Sequence, residues 1–392
     1  MQCSEQRILT THTGSLPRPP ELLALYQRRN RGEAVDVAEV EARASAAVRD
    51  VLRRQIAAGI DVANNGEQGR DSFHLYVRER LSGLGGSWQR PPRSDVERYP
   101  VFKEMRQRLS QVFPSSINDA ALPTVIGEVH YLERGAIEHE CDDFETALDE
   151  IGGGFAESFL TAPSPGIVAT TIRDMHYDTQ AAYLAALRRA LQVEYAAIVN
   201  HGFLLQLDCP DLALERHLYF GDRPLSEFLD FVENVVAVLN DALVNIPRER
   251  VRMHVCWGNS ESPHDSDVPL EDVLPIILRT NVGALVLPFA NPRHAHEFRC
   301  FEKFRLADDQ LLIAGVIDTL TNFVEHPEVV ADRIQRVAQV VGDPRRVLAG
   351  TDCGFDTAAG LGRVASDVVW AKLATLAEGA RLASQRMFLS AR

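Results

Sequence analysis

The stretch Phe203-Leu-Leu-Gln-Leu-Asp-Cys-Pro210 narrows the fold more than any other part of the chain. It is nearly all apolar and stops on a carboxylate. A strand apolar on both faces belongs in a parallel sheet covered on both sides. The same arrangement, an apolar run closing on polar residues and followed by a helical period, recurs along the chain. Nine candidate strands read this way, at 8–20, 60–67, 123–131, 159–166, 203–210, 251–258, 284–290, 311–319 and 347–354. Helical spacing of apolar residues predicts helices over 37–58, 143–157, 179–200, 225–245, 270–279, 327–341 and 366–385. Regular strand–helix alternation implies right-handed parallel βα units.

The expectation is therefore an α/β fold, a (β/α)8 TIM barrel spanning 1–392 as a single catalytic domain. A barrel needs eight strands, so one of the nine is accessory, and 123–131 is assigned that place. It adjoins an irregular insertion, near 82–135, whose glycines and prolines over 82–118 break any period. A doubly wound open sheet is the alternative, but no glycine-rich turn has phosphate-binding spacing.

Composition removes several function classes. Forty-one basic residues against 55 acidic ones give a net charge of −14, which disfavours nucleic acid and anionic membrane as partners. No run approaches the roughly 18 apolar residues of a membrane span. The first residues, Met-Gln-Cys-Ser-Glu-Gln-Arg, lack the apolar core of a signal peptide. A cytoplasmic location is expected, and the six scattered cysteines read as thiols or ligands. Homo-oligomerisation stays open.

Chemistry concentrates at the strand ends. In Arg252-Met-His-Val-Cys-Trp-Gly258, His254 and Cys256 stand two apart among alternating apolar residues, so both leave one face of a strand. A chance His and Cys on a core strand is the plainer alternative. A second run, Val347-Leu-Ala-Gly-Thr-Asp-Cys-Gly354, delivers Asp352 and Cys353 to a strand end. An imidazole and two thiolates form a donor set suited to Zn2+. The working hypothesis is a zinc site of His254, Cys256 and Cys353 with one position open.

Other strand ends add polar groups, each with a bland alternative. His12 and Ser15 follow the first run, where a loop with a buried hydroxyl would look the same. Glu67 suits a cationic group, or is a solvated loop carboxylate. Asp208 must have a partner or a ligand, because an unpaired buried carboxylate costs several kcal/mol. His264 is a site candidate or a surface histidine. Arg293, His294, His296 and Glu297 contribute to a site or form a salt-bridged loop. His130 and Glu128 read as a solvated face. Thr161, Ser164 and Asp318 also end strands.

Thr11-His-Thr-Gly-Ser-Leu-Pro-Arg18, Asn65-Gly-Glu67, Gln206-Leu-Asp208, His254-Val-Cys256, Asn291-Pro-Arg-His-Ala-His-Glu297 and Thr351-Asp-Cys-Gly354 occur in this order. Together they resemble the catalytic barrel of cobalamin-independent methionine synthase and its single-barrel relatives, among them the epoxyalkane:coenzyme M transferases. The resemblance covers nearly the whole chain. It implies a (β/α)8 barrel holding zinc by His254, Cys256 and Cys353 and alkylating a bound thiol, an S-methyltransferase or thiol alkyltransferase. Residues matching Ser15, Glu67 and Asp208 hold the amino acid part of homocysteine in the synthases. A methylated folate or another methyl donor is the implied co-substrate, so the expected partners are a small-molecule thiol and an alkyl donor.

Three positions depart from the family pattern. Its zinc-binding glutamate is matched by Pro288, leaving the fourth position to water, substrate or Glu297. The acidic residue after its aspartate is Cys209. Its proton-donating histidine is replaced near Leu320, with His326 as substitute and His264 as a second catalytic candidate. Epoxide opening by coenzyme M or another small thiol is the rival reading, with Arg18, Arg70 and Arg293 as its cations. A barrel that only binds is the reading from another class.

Overall fold

The computed structural model describes residues 1–112 and 122–389. Ten strands occur among them: β1 Val62–Asn64, β2 Leu84–Trp88, β3 Leu122–Val125, β4 Glu157–Pro163, β5 Arg173–Asp174, β6 Leu204–Asp208, β7 Val251–His254, β8 Ala284–Pro288, β9 Leu311–Ile317 and β10 Val347–Thr351. Seven form one parallel sheet in the order β1-β4-β6-β7-β8-β9-β10. Two further parallel bridges, Thr10 to Ala349 and Thr11 to Val62, join its two ends. The segment at Thr10-Thr11 is thus the eighth stave, and the (β/α)8 expectation holds with one stave reduced to two bridges. Residues 123–131 yield only β3, which pairs with β2 and β5 in a separate sheet and is accessory as expected.

The helices sit where the apolar period put them, at Val37–Ala58, Gln180–Asn200, Leu225–Ala242, Leu270–Ile277, Pro327–Val341 and Ser366–Ser384. Asp36 caps the first by accepting from the Ala38 amide at 3.0 Å, and Gly59 closes it at φ 80°. None of the described helices is long and apolar enough to cross a membrane.

Two expectations need correction, and one helix was not foreseen. The helix placed at 143–157 runs from Gly135 to Ile151, because Gly152-Gly153-Gly154 stops it and releases the chain into β4. The stretch 82–118 is not irregular: it holds β2 and the helices Ser94–Glu97 and Pro100–Val112, while its residues 113–118 lie outside the described ones. A helix at Pro20–Asn30 also follows the proline run, with Pro20 at its first turn, where the missing N–H is no loss.

The barrel interior is polar at its centre. Register sets Gln206 beside Arg252 and Asp208 beside His254. Arg252, fully buried, lies 3.9 Å over the Phe159 ring. It donates to Gln206 Oε1 at 2.8 Å, Thr11 Oγ1 at 3.0 Å and the His12 carbonyl at 2.7 Å. Arg252→Met would strip these acceptors of their donor inside a closed barrel. The expected loss is about 3 kcal/mol, read as a lower urea midpoint at unchanged slope. A variant as stable as the parent would mean the guanidinium is not holding the staves together.

Candidate metal centre and substrate pocket

β7 and β10 deliver the sulfur and nitrogen donors. His254 ends β7, Cys256 follows two residues on, and Cys353 lies two beyond the end of β10. One imidazole nitrogen and the two sulfurs lie within 4.8 Å of one another. His254 is buried, yet neither ring nitrogen has a hydrogen-bond partner. An orphaned buried imidazole beside two sulfurs is what a metal ligand looks like without its ion. The Cys353 thiol donating to Cys256, against burial and with His254 alongside, holds Cys256 well below the ordinary thiol pKa. Cys353 is pushed up in turn. Burial lowers the pKa of His254, but the neighbouring Cys256 and Asp208 raise it on balance.

Below this cluster lies a cavity of about 100 Å³ lined by Ser15, Glu67, Asp208, His254, Cys256 and Cys353, among others. Glu67 sits in the left-handed region at φ 55°, its amide donating to Asn65 Oδ1 at 2.9 Å. Its Oε1 accepts from Thr161 Oγ1 at 3.0 Å, while Oε2 is buried without a partner. A side chain at Gly14 would come within 2.7 Å of Oε1, so glycine there keeps the carboxylate in place. Asp208 Oδ1 accepts from Gln206 Nε2 at 2.8 Å. Burial, and then Glu67, pushes Asp208 up to about 8, and burial raises Glu67 as well, against Arg70 and Arg18. The Ser15 hydroxyl is likewise buried and unpartnered. Two desolvated carboxylates and a free hydroxyl make a pocket that gains by receiving a cationic, hydrogen-bonding group.

The remaining candidates divide. Arg18 is spent on Asp356 (2.8 Å) and the Glu67 carbonyl (3.0 Å). Arg70 is spent on Glu140 (2.9 Å) and the Thr161 carbonyl (2.9 Å). His12 is a barrel-interior residue, bonded to Gln55 at 2.9 Å and held near 4 by burial. Ser164 caps the helix Pro165–Thr171 and His130 is exposed. A second cavity, about 240 Å³, opens on the far side of Cys256 and Cys353, lined by His264, Pro288, exposed Arg293, His294, Asp318 and Leu320. Asn259 lines both cavities, donating to the Gly354 carbonyl at 2.8 Å and accepting from Thr319 at 2.9 Å. No sequence pattern singled it out.

Some assignments change. Glu297 does not reach the donor cluster: its oxygens accept from the Leu270 amide and contact His294, each at 2.7 Å. Asp352 is occupied by the amides of Phe289, Ala290 and Asn291. The donor group therefore stops at three among the described residues, and Pro288 offers no ligand atom. His326 is exposed, lines neither cavity and caps the helix Pro327–Val341, its Nδ1 accepting from the Glu328 amide at 3.2 Å. His264 lines the larger cavity, but its nitrogens are engaged by Asp267 and the Ser260 carbonyl, each at 2.8 Å. Cys209 is fully buried and lines neither cavity.

No protein-family model matches the chain. Relatives do. The Bacillus subtilis protein named "Uncharacterized protein YxjH" is 25% identical over 378 residues, 92% of this chain and 91% of its own. A methionine synthase of Thermococcus kodakarensis is 24% identical, covering 88% of this chain and 86% of its own. One of Saccharolobus islandicus is 23% identical, covering 96% and 95%. Among solved structures, a B12-independent methionine synthase from Shewanella sp. W3-18-1, in complex with selenomethionine, superposes with a TM-score of 0.74 at 21% identity, over 98% of this chain and all of that one. The resemblance read from the motifs thus extends along the chain.

Removing one thiolate tests the donor cluster. Cys353→Ser should weaken Co2+ binding by roughly 100-fold or more, measured by competition with a chelator dye. Unaltered affinity would mean the cluster is not a metal site.

Proposed function

We propose that this protein transfers an alkyl group, methyl in the first instance, to the sulfur of a small amino-acid thiol of the homocysteine type. The observation that carries the proposal is the single cavity in which the His254, Cys256 and Cys353 donors face the buried acids Glu67 and Asp208. The relatives named methionine synthase support the same reading.

His254, Cys256 and Cys353 are the residues that would hold zinc. A zinc ion bound there would lower the pKa of the substrate thiol and keep its sulfur nucleophilic. Glu67 Oε2, Asp208 and Ser15 Oγ receive the ammonium and carboxylate end of the thiol substrate and fix where its sulfur lies. Gln206, itself held by Arg252, keeps Asp208 from turning away. The alkyl donor enters the 240 Å³ cavity on the opposite side of the two cysteines. In the transfer, a sulfur–carbon bond forms and the bond from that carbon to the donor's leaving group breaks, the electron pair departing with the leaving group. Holding both reactants on one axis accounts for much of the catalysis expected of such a site.

The rival, a sulfonate thiol such as coenzyme M, fits less well. The small cavity is acidic, and Arg18 and Arg70 turn away from it to fixed partners.

Titration of the cobalt-substituted protein with homocysteine, cysteine, glutathione and coenzyme M tests the proposal. A new sulfur-to-metal charge-transfer change saturating with homocysteine is expected. Asp208→Asn should weaken homocysteine by about tenfold or more and leave coenzyme M unaffected. A spectrum indifferent to every thiol would instead favour a barrel that only binds.

A further inference from the structure

Between Cys256 and Cys353 in the chain, a second group of donors converges that the alkyl transfer does not use. His264 Nδ1, Asp267 Oδ2 and His294 Nε2 lie together, both nitrogens 2.8 Å from the same carboxylate oxygen. The far side of each imidazole is already committed. His264 Nε2 faces the Ser260 carbonyl at 2.8 Å, and His294 Nδ1 faces Glu297 Oε2 at 2.7 Å. Both partners can only accept, so each ring donates an N–H on that side, and its other nitrogen can meet the Asp267 oxygen only with a second proton or an ion between them. A histidine with one N–H on a carbonyl or carboxylate and the other nitrogen aimed at a shared point is the habit of a metal ligand. Glu297 is fixed in turn by the Leu270 amide at 2.7 Å.

A second observation comes from the other carboxylate oxygen. Asp267 is almost fully buried, its side chain 1% exposed, and Oδ1 has no hydrogen-bond partner. His217 Nδ1 is 2.7 Å away but out of line for a hydrogen bond, while Arg93 donates to His217 Nε2 at 2.7 Å. The carboxylate thus has unspent acceptor capacity inside a ring of imidazoles.

We propose that His264, Asp267 and His294 form a second metal site, for a divalent first-row transition ion. Two nitrogens and one carboxylate oxygen, with no thiolate, favour such an ion over Mg2+ or Ca2+, which take oxygen ligands. The ion replaces the protons that two imidazoles would otherwise need to meet one oxygen. It ties the loop 258–267 to the loop 291–297. These loops carry His264, Arg293 and His294 into the wall of the larger cavity, so the ion sets the shape of the chamber assigned to the alkyl donor. The site stands independently of the thiolate centre, since it shares no ligand with it.

Cobalt is the probe, with bound metal counted by elemental analysis after dialysis. The whole protein should bind two equivalents, and His294→Gln should bind one while keeping the sulfur charge-transfer band. Cys256→Ser/Cys353→Ser should also bind one, with d–d absorption and no sulfur band. One equivalent bearing the sulfur band in the whole protein, undiminished in His294→Gln, would overturn the second site and leave the thiolate centre standing. One equivalent without that band, lost in His294→Gln, would do the reverse. If circular dichroism shows that a variant is unfolded, the stoichiometry and band of the parent protein decide alone.

Discussion

A guanidinium in the middle of a closed barrel is an expensive thing to bury, and the site is built on that expense. Arg252 has no carboxylate in direct contact. It is held by Gln206, Thr11, the His12 carbonyl and the face of Phe159. Those partners come from β4, β6 and the first segment of the chain, so the arginine measures whether they are in register with β7. One layer higher, the same alternation places Asp208 opposite His254. The floor that carries the positive charge and the layer that carries the negative charge are successive rungs of the same strands. The positive floor lies under Asp208, while Arg70 and Arg18 offset the burial of Glu67.

The second organising fact is a shared partition. Cys256, Gly258, Asn259 and Cys353 line both cavities. A group in the small, acidic chamber and a group in the larger one therefore face each other across a wall that holds both sulfurs. The larger chamber is walled by loops whose histidines are clamped on Asp267 and, for His294, stacked on Trp257 at 3.9 Å. Burial works against ionisation of Asp267, but His217, His264 and His294 hold its carboxyl well below the usual range. One chamber is lined by unspent hydrogen-bonding groups, the other by histidines that already bridge Asp267 to Glu297 and the Ser260 carbonyl.

Much of this could be read from the residues. Apolar runs that stop on Asp208, His254 or Asp352 announce parallel strands, because only burial on both faces makes such runs stable. The His254/Cys256 spacing announces a shared face, because the strand period is two. What escaped the reading has equally definite causes. The eighth stave is two bridges long, too short for any period to show. The helix Gly135–Ile151 differs from the expected 143–157 at both ends, because its acidic, weakly apolar face blurs the period at the start and the glycine run that stops it lies inside the expected span. Asn259, Arg93, His217 and Asp267 come from positions up to 174 residues apart, and no local pattern joins them. His326 looked chemical because histidine seldom caps a helix, yet capping is its place in the structure.

The seam of the barrel has a consequence for how the protein comes into being. Thr10 pairs with Ala349, and Thr13 and Ser15, just after it, form part of the small chamber. This segment finds its first neighbour at Val62, but must wait for Ala349 before its other edge is paired. At about 5–20 residues per second, that interval is on the order of tens of seconds. Throughout it the nascent sheet has two open edges and no chamber at all, so the thiol and the metal can select only the finished molecule.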